Sequence, residues 1–135
     1  MFKEKLNVIL DSSIVLLSVE KRFDLFDEIG RVLNRSYNCI VLTQVFDEIK
    51  HLAEQGNVRE RRLGRLALEL IRRCKFVEYE FPGDADQAII DYARKNKVVV
   101  ATNDLQLRRC LRRVGVPVIY VRGFDHLDID GDIYW

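Results

Sequence analysis

Apolar runs of four to six residues alternate along this chain with longer segments in which apolar side chains recur at helical spacing. Short buried runs predict strands, and a 3.6-residue period predicts helices. The strands are expected at Asn7–Leu10, Cys39–Leu42, Phe76–Tyr79, Val98–Ala101 and Val118–Val121. Most are continuous β-branched or aliphatic runs, as strands covered on both faces should be. Between them, helices are expected over Ile14–Val19 and Leu25–Leu33. A third opens at Thr43 as its cap and ends near Gly56. A fourth runs from about Val58 to Cys74 with Leu63, Leu66, Ala67, Leu70, Ile71 and Cys74 as its inner stripe, and two more cover Asp84–Asn96 and Asp104–Val114. Strands alternating with helices predict an α/β domain around a mostly parallel sheet of four to five strands. One domain is expected over residues 1–122, followed by an acidic, solvated tail over 123–135.

Composition narrows this picture. The 135 residues carry 22 Lys and Arg against 21 Asp and Glu, for a net charge of +1, with 48% hydrophobic residues. A chain of this length builds a core without needing a disulfide or metal staple. The apolar stretch Leu6 to Leu10 is too short for a signal core or a membrane span, so a cytoplasmic protein that does not engage a membrane is expected. Cys39, Cys74 and Cys110 are odd in number and form no Cys-x-x-Cys pair, which predicts buried free thiols. His51 and His126 stand alone, and no Gly-x-Gly-x-x-Gly or P-loop string occurs. A zinc centre, a Ser-His-Asp triad and a nucleotide-cofactor enzyme all lack their parts.

What the chain does contain is a set of acids where strands hand over to helices, the place where open parallel sheets bind ligands. Asp11 directly follows the first strand, with Ser12 and Ser13 beginning the next turn. Glu48 flanks the buried stripe of the helix after the second strand, whereas Asp47 points to solvent. Asp86 opens the helix before Ile89, Ile90 and Ala93, and Asp104 follows the fourth strand in phase with Leu107 and Leu111. Asp84 reads instead as a helix N-cap, with Gln87 completing a capping box. Each acid alone is an ordinary turn or helix-start residue. Four of them at one sheet edge would repel one another unless a divalent cation holds them ionised. Hard oxygen donors without His or Cys suit Mg²⁺ or Mn²⁺, and the chemistry that follows is metal-assisted phosphodiester hydrolysis.

The same residues carry a family likeness. Asp11 after an aliphatic strand, Val45-Phe46-Asp47-Glu48-Ile49, Ala85-Asp86-Gln87-Ala88-Ile89 and Thr102-Asn103-Asp104 together resemble the PIN-domain ribonucleases, over about Leu6 to Arg122. Cys39-Ile40-Val41-Leu42-Thr43, Leu105-Gln106-Leu107-Arg108-Arg109 and Gly115-Val116-Pro117-Val118-Ile119-Tyr120 are most similar to the small-subunit ribosomal RNA-processing members and their archaeal relatives. The resemblance implies a three-layer α/β/α fold and a Mg²⁺- or Mn²⁺-dependent endonuclease for single-stranded RNA, here ribosomal precursor RNA. It implies Asp11, Glu48, Asp86 and Asp104 as the catalytic, metal-binding acids, with Ser12, Thr102 and Asn103 supporting them. It also implies a homodimer. Ser12-Ser13 replaces the family's frequent Thr-Asn, and Gln106 stands where some relatives carry a further acid. Toxin nucleases of the VapBC type share these acids and would bring an antitoxin partner. A PIN-like domain that binds RNA and ribosome-assembly factors without cutting is the third reading.

Near-zero net charge conceals local excess. Asn57 to Lys75 holds seven Lys and Arg against two Glu, and Asp104 to Arg122 holds five Arg against one Asp. Arginine forks suit phosphate oxygens and give salt-dependent affinity without sequence readout. Arg61, Arg62, Arg65, Arg108, Arg109 and Arg112 are therefore the expected RNA contacts. Asp128-Ile129-Asp130-Gly131-Asp132 lacks the spacing of a calcium loop.

Overall fold

The computed structural model describes residues 4–123 and 125–135. The elements run β1 (Leu6–Leu10), α1 (Ser12–Lys21), α2 (Leu25–Leu33), β2 (Tyr37–Leu42), α3 (Thr43–Gln55), α4 (Val58–Ile71), β3 (Lys75–Val77), α5 (Ala85–Lys95), β4 (Val99–Ala101), α6 (Leu105–Arg113), β5 (Val118–Arg122) and β6 (His126–Asp130). The sheet order is β3-β2-β1-β4-β5-β6, parallel throughout except for the antiparallel β5–β6 pair. From β1 the chain steps outward to β2 and β3, then crosses back to β4 on the other side of β1 and steps on to β5. Right-handed crossovers place helices on opposite faces when the direction of stepping reverses, which yields the three-layer α/β/α arrangement. The reversal point is the β1–β4 seam, where Leu10 pairs with Ala101.

Burial explains why the strand runs are apolar without alternation. Val8, Ile9 and Leu10, Val99, Val100 and Ala101, and Val118 and Ile119 are all sealed from solvent. Each aliphatic side chain withdrawn from water in this way stabilises the fold by about 1.5–3 kcal/mol. Helix α4 meets α3 through Gly64, where a Cβ would fall 2.7 Å from the Ala53 backbone nitrogen. Only a hydrogen at that position lets the two backbones approach this closely. The α4 stripe is narrower than expected as a result: Gly64, Ala67 and Ile71 are its buried positions, and Leu66 is 46% exposed.

Three further differences have physical causes. The sheet has six strands because the segment expected to be a solvated tail is β6. Leu127 is 2% exposed, and its amide donates to Glu28 Oε1 at 3.1 Å while its carbonyl accepts from Arg31 Nη2 at 2.8 Å. The Glu28–Arg31 pair on α2 thus clamps the backbone of β6, and Arg31 holds the Glu28 carboxyl below the usual range. Thr43 is the first residue of α3, not its cap. Its hydroxyl donates to Val77 O and accepts from Tyr79 N, both at 3.1 Å, which fastens the chain leaving β3. Lastly, Cys39 and Cys74 are joined in a disulfide, and only Cys110 is free among the described cysteines. Cys74 ends the turn from α4 into β3, next to β2, which brings the two residues within bridging distance.

Closing that 35-residue separation contributes about 3–4 kcal/mol by chain entropy. Thiol titration of unreduced, denatured protein is expected to count one reactive cysteine, rising to three after reduction. Three thiols before reduction would contradict the bridge. Gly64→Ala is expected to destabilise by about 2 kcal/mol through overpacking against Ala53, read as a lowered melting temperature; an unchanged melt would mean the α3–α4 contact yields without cost.

Candidate active site

The carboxyl ends of β1 and β4 lie side by side at the seam, and this places Asp11 next to Thr102. The Asp11 amide continues the ladder by donating to Ala101 O at 2.9 Å, and the Thr102 amide donates to Ile119 O at 2.9 Å. Asp11 occupies the N-cap position of α1 but its side chain caps nothing. Instead Oδ2 accepts two hydroxyl protons, from Ser13 and from Thr102, both at 2.6 Å. With its proton given to Asp11, each hydroxyl is left as an acceptor. Ser13 Oγ takes the Asn103 amide at 2.9 Å, and Thr102 Oγ1 takes the Asp104 amide at 3.0 Å. Asp11 is only 3% exposed, a position where an ionised carboxylate needs such donors.

Asp104 is the N-cap of α6, a role its phase with Leu107 and Leu111 does not reveal. Its Oδ1 accepts from Gln106 N at 2.8 Å and from Leu107 N at 3.1 Å. Glu48, exposed on α3, is drawn to the cluster by Ser12, whose hydroxyl donates to Oε1. Three acids are therefore each anchored through one oxygen and keep the other uncommitted. Among the described residues Asp11 Oδ1, Glu48 Oε2 and Asp104 Oδ2 accept no hydrogen bond; Asp11 Oδ1 and Asp104 Oδ2 are not sealed from solvent, and Glu48 is an exposed residue. Asp86 accepts no hydrogen bond among the described residues. It lies in the first turn of α5, behind the capping box of Asp84 and Gln87, where the helix dipole favours a negative charge. Burial, and then the Asp11, Asp104, Asp84 and Glu48 carboxylates, nevertheless push its carboxyl up to about 6. That upward push brings all four expected acids into one electrostatic neighbourhood.

Among the described residues no Lys, Arg or His forms an ion pair with any of the four. Nor, as the side chains stand, does any group of three His, Cys, Asp or Glu among the described residues have a geometry that could hold a metal ion. Glu48 is turned toward Ser12. The donor set itself, hard oxygens with spare lone pairs and no competing cation, fits a divalent ion of the Mg²⁺ or Mn²⁺ type.

The residues expected to support the acids contact them in different ways. Ser12 holds Glu48, and Thr102 holds Asp11. Asn103 contributes its backbone amide to Ser13. Ser13, absent from the expected set, is the hub that joins Asp11, Thr102 and Asn103. Its signal in the sequence was the second hydroxyl of Ser12-Ser13. Of the arginines, Arg62, Arg65 and Arg109 are exposed and form no ion pair among the described residues. Arg61 donates to Gly56 O at 2.8 Å. Arg108 and Arg112 both reach Asp130 on β6, at 3.0 and 3.2 Å.

The fold is a mostly parallel α/β sheet with Asp11 and Thr102 joined where the strand order reverses. A model of the PIN-like domain family matches residues 8–124, and the chain belongs to that family. It is 30% identical over 127 residues to ribonuclease VapC4 of Methanocaldococcus jannaschii, covering 92% of this chain and 96% of that protein. The structure is similar to that of the PIN domain endonuclease Utp24, with a TM-score of 0.78 and 22% identity over 94% of this chain and 92% of the other. It is also similar to a chain of the VapBC2 complex of Rickettsia felis bound to a promoter DNA fragment, with a TM-score of 0.60 and 14% identity over 78% and 93%.

In a chelating buffer Asp86 binds a proton in the folded chain up to pH about 6, against its ordinary 3.8 when unfolded. The folded state holds the extra proton in that window, so the Asp86 contribution to stability is present below pH about 4 and is lost as pH rises through about 6. Asp86→Asn is expected to raise stability at pH 7.5 by about 1 kcal/mol after screening of this part-exposed group, with little gain at pH 4. Calorimetry in EDTA checks this, and equal effects at both pH values would contradict it.

Proposed function

We propose that this chain is a metal-dependent endoribonuclease that hydrolyses phosphodiester bonds of single-stranded RNA, using Mg²⁺ or Mn²⁺. One observation carries the reading. Three acids are fixed through one oxygen each with the second left free, and the fourth, Asp86, is pushed up by burial and then by the neighbouring carboxylates, with no ion-pair partner among the described residues. Asp11, Glu48, Asp86 and Asp104 would hold the ion. A bound divalent cation supplies a lowered pKa for the attacking water and neutralises charge developing on the phosphate. The chain's own contributions are positional. Ser13 and Thr102 orient Asp11, Ser12 restrains Glu48, and the N-cap bonds fix Asp104. Arg62, Arg65 and Arg109 offer phosphate contacts that steer a polyanion past an acidic floor which would otherwise repel it.

The resemblance of Cys39–Thr43, Leu105–Arg109 and Gly115–Tyr120 to the small-subunit ribosomal RNA-processing PIN nucleases supports ribosomal precursor RNA as the substrate, with ribosome-assembly factors as partners. The 30% identity to ribonuclease VapC4 over nearly its whole length favours a second reading, a toxin nuclease held by an antitoxin. A short antitoxin-like reading frame directly upstream would select the second.

Cleavage of a labelled single-stranded RNA in Mn²⁺ is expected from the wild type and to fall by about a thousandfold or more in Asp11→Asn, with EDTA abolishing it. Equal activity in both proteins would sink the catalytic assignment.

A further inference from the structure

Arg108 lies one helical turn beyond Asp104 on α6, which puts the two on the same face of the helix. Its guanidinium is held on two sides. Cζ stands 3.6 Å from the ring centroid of Tyr120 on β5, and Nε donates to Asp130 Oδ2 on β6 at 3.0 Å. The other Asp130 oxygen takes Arg112 Nε at 3.2 Å, so one carboxylate is shared by two guanidinium groups and the trio keeps a net positive charge. Gly131, at a φ of +100°, gives Arg112 the room to reach Asp130, since a Cβ there would run into its Nη1. Arg112 also donates through Nη1 to Val116 O at 3.3 Å. Arg108 does not close itself off in this way. Its side chain is 26% exposed, its two Nη groups meet no acceptor among the described residues, and neither is sealed from solvent.

A guanidinium fixed through Nε and one π face keeps its Nη edge for an acceptor with two oxygens, and a phosphodiester presents such a pair. We propose that Tyr120 and Asp130 are positioning residues that hold Arg108 as a preformed fork for a backbone phosphate of the RNA strand next to the acid cluster. This rests on the ribonuclease reading and names residues that act through Arg108. Two effects of Asp130 oppose each other. Its negative charge repels RNA, while its bond to Nε removes the rotamer freedom that Arg108 would otherwise lose on binding. Orientation prevails here because the carboxylate is already neutralised by two arginines.

The test measures the Kd of a fluorescein-labelled single-stranded RNA by anisotropy in EDTA across a salt series, alongside kcat and KM in Mn²⁺. Arg108→Ala is expected to weaken binding about tenfold and to reduce the salt slope by about 0.7. Asp130→Asn and Tyr120→Leu are each expected to weaken it about three- to fivefold with kcat within about twofold, while Tyr120→Phe keeps the ring and binds as wild type. In an Arg108→Ala background, Asp130→Asn is expected to leave binding unchanged or tighten it. Tighter binding by Asp130→Asn in the native background would make Asp130 a mask over Arg108 and overturn the proposal. So would equal losses with and without Arg108, which are the mark of a disrupted β5–β6 pair. If Asp130→Asn does not fold, the contrast between Tyr120→Leu and Tyr120→Phe decides. Because binding is read without cleavage, coupling in a protein that never cuts RNA would overturn only the nuclease reading, and cutting without coupling would overturn only the fork.

Discussion

Two hydroxyl protons converge on one oxygen of Asp11, and most of the acidic end of the molecule follows from that. A carboxylate this deeply buried would cost several kcal/mol if left unpaired, and among the described residues no cationic side chain forms an ion pair with it. The 2.6 Å bonds from Ser13 and Thr102 are short, charge-assisted bonds of the stronger kind. Each donor is itself oriented by a backbone amide, from Asn103 or Asp104. The turn that delivers Asp104 is therefore built onto the residues that hold Asp11. The first and fourth acids share one scaffold across the β1–β4 seam.

The remaining acids join this scaffold unequally. Glu48 is connected through Ser12, the residue after Asp11, so α1 links it to the seam. Asp86 arrives on α5 with no donor aimed at it among the described residues, and its burial, followed by its neighbours' charge, raises its proton affinity. A cluster built this way has three restrained members and one responsive member. Its electrostatic balance is registered mainly at Asp86.

How far the sequence revealed this depended on the range of the interaction. The strand runs were legible because burial on both faces removes alternation, and Asp11 and Asp104 stood out because each closely follows such a run. The Asp84–Gln87 capping box was legible because it is local. Asp104 was assigned to the inner face by phase, yet cap geometry, which phase does not encode, claimed one of its oxygens. Ser13 was missed because its partners Thr102 and Asn103 are about 90 residues away in the chain. β6 was taken for a solvated tail because its acids outweighed the Leu127 and Ile129 alternation. That density of acid has a structural cause: Asp128 pairs with Arg122, and Asp130 with Arg108 and Arg112. The Cys39–Cys74 bridge depends on β2–β3 register, which spacing alone does not disclose.

The missing side chain at Gly64 has a reach beyond packing. By letting α4 press onto the Ala53 backbone of α3, it couples the helix that displays Arg62 and Arg65 to the helix that carries Glu48. Two backbones in contact slide far less readily than two layers of side chains. The interval between this basic surface and the acids is thus set by helix contact instead of by a loop. Under the proposed ribonuclease reading, a flexible polyanion would meet the basic surface and the acids at a fixed spacing.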